Sequence, residues 1–189
     1  MRLTDGIFIE ILEGYFTSKT TRFTQKGLSE KLHVSIGLVN KTIAKLEQAG
    51  AVERAGRGFS LVDAKKLLAI FATQRKLASD VIFSTHYEGG VKEIEKLMPN
   101  EACFTGCSAY RLKYDDAPAD YGKVYVYADG KIGRFAENKG EPNLFVLKNP
   151  GFAMGKIAPV SLIYADLWNM RDWFAAEYLK ALERRLFNA

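Results

Sequence analysis

Between Phe23 and Val62 the hydrophobic period of the chain switches from that of helices to that of strands, and this switch constrains the fold more than any other feature of the 189 residues. Thr24 precedes a short run in which Leu28 and Leu32 stand four apart on one helix face. Its hydroxyl can accept from a backbone N–H that a helix start leaves unpaired. His33-Val34 reads as a tight turn. Ser35 then offers a second cap, ahead of a segment in which Val39, Ile43 and Leu46 share a face while Asn40, Lys41 and Lys45 fall elsewhere. Gly50 sits where a helix needs a left-handed terminating residue. Beyond it Ala51 to Arg54 and Phe59 to Val62 alternate as strands do, joined through Ala55-Gly56-Arg57-Gly58. Two capped helices across a turn, then a hairpin with an arginine between glycines at its tip, read as a winged helix-turn-helix.

Such a motif lays its second helix in the major groove of double-stranded DNA, with the N-terminal residues of that helix toward base edges and phosphate contacts fixing the register. Ile36, Gly37, Asn40 and Lys41 are the expected base-facing set. Ile36 can meet a thymine methyl, Gly37 lets backbone approach closely, Asn40 can pair with adenine through two hydrogen bonds, and Lys41 can reach guanine or a phosphate. Thr24, Gln25, Lys26, Ser35 and Lys45 suit phosphates, and Arg54 and Arg57 suit the adjacent minor groove or its backbone. The competing reading of the same elements is a protein-interaction module that never touches DNA.

The chain is about three times longer than a lone module of this kind, so a second domain with its own core is expected. Nine basic and six acidic residues stand in residues 1–62, against 18 and 16 in the remainder. The excess of the net +5 therefore leans toward the proposed reading head, as nucleic-acid binding favours. No window approaches the roughly 18 apolar residues of a membrane span, and the start lacks a secretory pattern, so a cytoplasmic protein is expected. Cys103 and Cys107, at helical i, i+4 spacing, read as two buried free thiols. A zinc site would need more ligands than His33 and His86, which belong to different segments, and no metal or cofactor is expected.

Elsewhere, Asp5 to Phe16 carries Ile7, Phe8, Ile11, Leu12 and Tyr15 at helical spacing, with Phe16 and Phe23 closing the first core. Asp63 is a natural cap for a helix to about Ser79, giving the division 1–62 reading head, 63–80 linker helix and 81–189 second domain. In that last part Lys92 to Met98 and Ala102 to Leu112 read as helices, and Lys123 to Ala128 and Asn143 to Leu147 as strands. Pro159 opens a helix to Leu167, and Arg171 to Phe187 forms another with Phe174, Tyr178, Leu182 and Leu186 in an i, i+4 row. The sum is an α+β second domain. Trp168, Trp173 and Phe174 are expected to seal a core. Tyr110, Tyr114, Tyr121, Tyr125 and Tyr127 are expected to pack beneath a covering helix, and Lys131, Arg134, Lys139, Lys148 and Lys156 to be solvated in loops.

The winged helix, the segment GCSAYRL at Gly106 to Leu112 and the run PVSLIYADLWNMRDWFAAEYLKAL at Pro159 to Leu182 together resemble the AbiEi-like transcriptional regulators associated with type IV toxin–antitoxin systems. The resemblance implies an N-terminal winged helix followed by a nucleotidyltransferase-like domain. Double-stranded DNA is the expected partner, a second copy of the chain is expected because one reading head touches few base pairs, and the second domain is expected to meet a cognate toxin or a small-molecule effector. Active nucleotidyltransferases hold a triphosphate on a glycine-serine turn and metal ions on strand carboxylates. Thr105-Gly106-Cys107-Ser108 can be read as that turn. Asp115, Asp116 and Asp120 follow in a proline-containing loop, and the strand at Val124 to Tyr127 has no acid. The expected function is a DNA-binding regulator, probing as its alternative an enzyme that its winged helix merely targets.

Overall fold

The computed structural model describes residues 2–130, 132–152 and 154–187. The fold is mixed α+β with two separate sheets, and the chain divides into two compact units, Arg2–Gln74 and Arg75 onward. No described helix is long and apolar enough to cross a membrane.

The first unit runs α1 (Leu3–Ser18), β1 (Arg22–Thr24), α2 (Gln25–Leu32), α3 (Ile36–Gln48), β2 (Val52–Ala55), β3 (Gly58–Leu61) and α4 (Ala64–Gln74). Each boundary has a local cause. The Thr24 hydroxyl accepts from Gly27 N–H at 3.1 Å, the Ser35 hydroxyl from Leu38 N–H at 3.2 Å, and the Asp63 carboxylate from Lys66 N–H at 2.8 Å. His33, at φ 52°, turns the chain out of α2. At the end of α3, Gly50 N–H donates to the Glu47 carbonyl and Ala51 N–H to the Leu46 carbonyl, the paired bonds of a Schellman stop.

The sheet has the order β1-β3-β2 with both pairings antiparallel. Ala55 pairs with Gly58, which leaves the two-residue turn Gly56-Arg57, and Gly56 takes the positive φ of 57° that a type II′ turn places first. Gly58 is needed for a different reason: a Cβ there would lie 2.4 Å from the carbonyl oxygen of Phe23, where β1 crosses close. Ile7, Ile11 and Leu12 of α1, Val39, Ile43 and Leu46 of α3, and Leu67, Leu68 and Phe71 of α4 fill the core at 0–2% exposure. At about 1.5–3 kcal/mol for each such side chain, this burial rather than helix propensity holds α2, which is eight residues long and buries only Leu28 itself. Phe8 stacks on Phe71 at 5.4 Å and Phe23 on Phe59 at 5.6 Å, while Phe16 is only half-buried.

α4 was expected to continue to about Ser79, and it stops at Gln74 with Phe71 held against α1. Arg75 ends it because its guanidinium turns into the interior of the second unit, and a short 3-10 turn at Leu77–Asp80 follows, with Ala78 exposed.

The second unit contains β4 (Val81–Thr85), α5 (Gly90–Leu97), β5 (Cys103–Thr105), α6 (Gly106–Tyr114), β6 (Val124–Ala128), β7 (Leu144–Lys148), α7 (Val160–Asn169) and α8 (Trp173–Phe187). Sheet order is β4-β7-β6-β5, with β6 and β7 parallel and the two outer pairings antiparallel. The outer edge of β5 is covered by backbone bonds from Phe104 N–H to Lys156 and from Ala158 N–H to Phe104. Two expectations are corrected. Val81–Thr85 is a strand that the sequence reading did not find. Residues 102–112 are not one helix, because Cys103–Thr105 extend as β5 and α6 starts only at Gly106, so Cys103 and Cys107 lie on different elements. Both thiols are nonetheless free and buried.

Beneath this sheet lies a buried polar network. Asp166, at 0% exposure, accepts from Arg75 Nε at 2.9 Å, from the Thr105 hydroxyl at 2.7 Å and from the Tyr127 hydroxyl at 2.5 Å. Arg75 also donates to Tyr127 at 3.0 Å and to Asp80. Burial pushes the Asp166 carboxyl above the ordinary aspartate range, against the pull of Arg75 and the two hydroxyls. Burial likewise opposes charge on Arg75, but Asp166, Tyr127 and Asp80 together raise its pKa above the usual arginine value. Of the five tyrosines, Tyr110 and Tyr127 are buried and Tyr114, Tyr121 and Tyr125 half-buried, whereas Trp168 and Trp173, at 42% and 70% exposure, do not seal a core; Phe174 does. On α7 every residue from Val160 to Leu167 is buried, and Trp168, tilted against Tyr164 one turn earlier at 6.0 Å, is the first exposed residue of the helix.

Candidate nucleic-acid interface

At 3.6 residues per turn, α3 has an inward and an outward stripe. Val39, Ile43 and Leu46 point inward and are 0–2% exposed. Gly37, Lys41, Ala44 and Gln48 form the opposite stripe, with Ile36 and Asn40 along one margin of it. Ile36 is a large apolar side chain left 50% exposed, Gly37 and Lys41 are exposed, and nothing stands within 4 Å of where a Cβ on Gly37 would point. Asn40 is half-buried, and its side-chain amide makes no hydrogen bond among the described residues. Four of the residues expected to face bases thus share one open side of one helix. Gln48, exposed on the same stripe, was missed; its spacing of 7 from Lys41 was the available signal.

Around this face the expected phosphate-contacting residues divide. Thr24 and Ser35 are exposed; each hydroxyl is engaged as an acceptor in its cap and keeps its own proton to donate. Gln25 is half-buried at the start of α2, and exposed Lys26 stands 3.7 Å from Glu30 on the same helix, a weak solvated pair. Lys41, Lys45 and Arg57 are exposed and have no ion-pair partner among the described residues, and Arg57 occupies the hairpin tip.

Arg54 is engaged within the protein. Its guanidinium donates to the Asn40 carbonyl at 3.0 Å and stands 3.3 Å from Glu47, whose other oxygen accepts from Arg54 N–H at 3.2 Å. The side chain therefore fastens β2 to α3, and sequence could not show this because the partners are 7 and 14 residues away on another element.

In the second unit, Thr105, Gly106, Cys107 and Ser108 are all buried, and the Thr105 hydroxyl is engaged with Asp166. A Cβ on Gly106, at φ 61°, would meet the Met170 side chain at 2.3 Å, so this turn packs against protein. Asp115 and Asp120 are exposed, and Asp116 accepts from Arg185 at 2.8 Å and from the Tyr110 hydroxyl at 3.1 Å. The Arg185 contact lowers the Asp116 carboxyl below the usual range. Among the described residues no three His, Cys, Asp or Glu side chains converge to hold a metal ion. Arg134, Lys139, Lys148 and Lys156 are exposed, and Lys131 lies outside the described residues.

No family model, curated protein or solved structure matches the chain.

Proposed function

We propose that this chain is a sequence-specific reader of double-stranded DNA, a cytoplasmic transcriptional regulator whose residues 1–62 form a winged helix-turn-helix. The observation that carries the proposal is the outward side of α3: Ile36, Gly37 and Lys41 stand exposed with half-buried Asn40 beside them, next to a hairpin whose tip is Arg57. A base-reading face uses a half-exposed isoleucine, an uncovered glycine and an unengaged amide together. Thr24, Gln25, Lys26, Ser35, Lys45 and Arg57 take phosphates, and Arg54 orients α3 through Glu47.

The protein acts as a homodimer on two half-sites, since one reading head touches few base pairs. The resemblance to AbiEi-like antitoxins supplies the autoregulatory reading and the nucleotidyltransferase-like character of the second unit. Burial of Thr105 to Ser108 favours a non-catalytic role for that unit over transfer chemistry.

Asn40→Ala should reduce discrimination between the selected site and random duplex by about 1–3 kcal/mol. Arg57→Ala should weaken both nearly alike and lower the salt slope by about 1. Equal losses on both duplexes for Asn40→Ala would remove it from the base-reading set.

A further inference from the structure

A cleft of about 490 Å³ lies wholly within the first unit, between α1, α3 and α4. Its size falls within the range that accommodates small organic ligands. Phe8, Leu38, Leu46 and Ile70 supply apolar wall, and Lys41 and Lys45 stand on its rim one helical turn apart. Both lysines are without an ion-pair partner among the described residues, whereas Arg2, the third cation there, is held by Asp5 through Nε and Nη2 at 3.1 and 2.8 Å. Thr42 gives its proton to the Leu38 carbonyl at 2.9 Å and so offers the cleft only an acceptor. The lining has two uncompensated cations and no unpaired carboxylate. Thr4 and Gln74 add neutral polar groups to the lining, a neutral or cationic ligand would gain nothing from the two lysines, and a bare anion would leave the apolar wall wet.

We infer that this cleft binds a small organic monoanion, a carboxylate on a flat apolar body, with the carboxylate between Lys41 and Lys45 and the body against Phe8, Leu46 and Ile70. Lys41 and Lys45 lie on the border of α3 between the cleft and the outward stripe. A bound anion therefore neutralises two of the cations that the proposed function assigns to DNA, and the ligand lowers DNA affinity by a coupling of about tenfold. That coupling rests on the proposed function; the ligand site does not.

The probe is 2-naphthoate, titrated into the full-length protein by calorimetry without DNA, with 2-naphthamide and inorganic phosphate as the uncharged and body-less comparisons. Saturable naphthoate binding at submillimolar concentration is expected, weakened about tenfold by Lys45→Gln and blocked by Ala49→Trp, which fills the cleft from its rim, with naphthamide and phosphate binding far more weakly. Folding of both variants is checked by their unfolding curves. No naphthoate binding, binding equal to that of naphthamide, or binding indifferent to both substitutions overturns the site. In a separate arm naphthoate is added to the DNA complex: naphthoate binding without loss of DNA affinity overturns the coupling alone, and absence of DNA binding with intact naphthoate binding condemns the DNA reading and leaves the site standing.

Discussion

Replacing Asp166 by alanine tests whether the second unit is organised around its buried charge. Three donors converge on this carboxylate, from Arg75, Thr105 and Tyr127, and none has access to solvent. Removing it leaves the Thr105 hydroxyl without its acceptor, at about 1–3 kcal/mol, and leaves Arg75 buried with Asp80 as its one remaining carboxylate. Breaking a buried pair costs about 3–5 kcal/mol in total, a range that already includes the stranded donors. Set against a typical stability of about 5–15 kcal/mol, Asp166→Ala should remove a large part of what holds the unit folded. Asp166→Asn should lose less, because its carbonyl oxygen still accepts from one donor. Urea unfolding followed by tryptophan fluorescence is a selective assay, since both tryptophans, Trp168 and Trp173, belong to the second unit. The double variant Arg75→Met with Asp166→Leu should lose less than the sum of its single changes. A loss below about 1 kcal/mol for Asp166→Ala, or strict additivity in the double variant, would refute the reasoning.

Three further outcomes follow from the geometry. Gly58→Ala should destabilise the first unit by about 1–3 kcal/mol, read as a lowered thermal midpoint, because the new methyl would press on the Phe23 carbonyl at 2.4 Å; an unchanged midpoint would contradict the close crossing of β1 and β3. Glu47→Ala should loosen Arg54 and weaken DNA binding without any contact of Glu47 with DNA, while Glu47→Gln, which keeps the acceptor for Arg54 N–H, should recover part of the loss; indifference of both variants would remove Arg54 from an orienting role. Burial raises the Cys103 thiol from an ordinary 9.0 to about 12, so neither thiol should react with iodoacetamide at pH 8 until the protein is unfolded. Between about pH 9 and 12 the unfolded chain releases that proton and the folded chain keeps it, so stability should fall as pH rises through this window; a flat alkaline profile for wild type alongside Cys103→Ala would contradict it.

Much of the first unit was legible because its signals are local. Thr24, Ser35, Asp63 and Gly50 each act within four residues of themselves, and each does what its side chain or backbone dictates. The open stripe of α3 was legible for the same reason, since helical spacing alone puts Gly37 and Lys41 opposite Val39 and Leu46. The second unit was less so. β5 is three residues long with all three buried, and a strand covered on both faces shows no alternation to distinguish it from the helix that follows. β4 is an edge strand interrupted by a register shift between Val81 and Phe83, which breaks its period. The buried network joins Arg75, Thr105, Tyr127 and Asp166 from four places in the chain. One trace of it was visible: an aspartate inside the apolar run Ser161 to Trp168 has to find a cation if that run is interior. The exposure of Trp168 and Trp173 was missed because aromatic residues near a helix junction carry no mark of which side they face.

The most direct test is retention of random duplex DNA by the purified protein at about 50 and about 200 mM salt, followed by sequencing of what is retained. The account predicts a common motif with two-fold related halves, surviving at the higher salt and lost with Asn40→Ala. Binding that vanishes with salt and selects no sequence would contradict it, and would leave the first unit with a basic surface and no reading head.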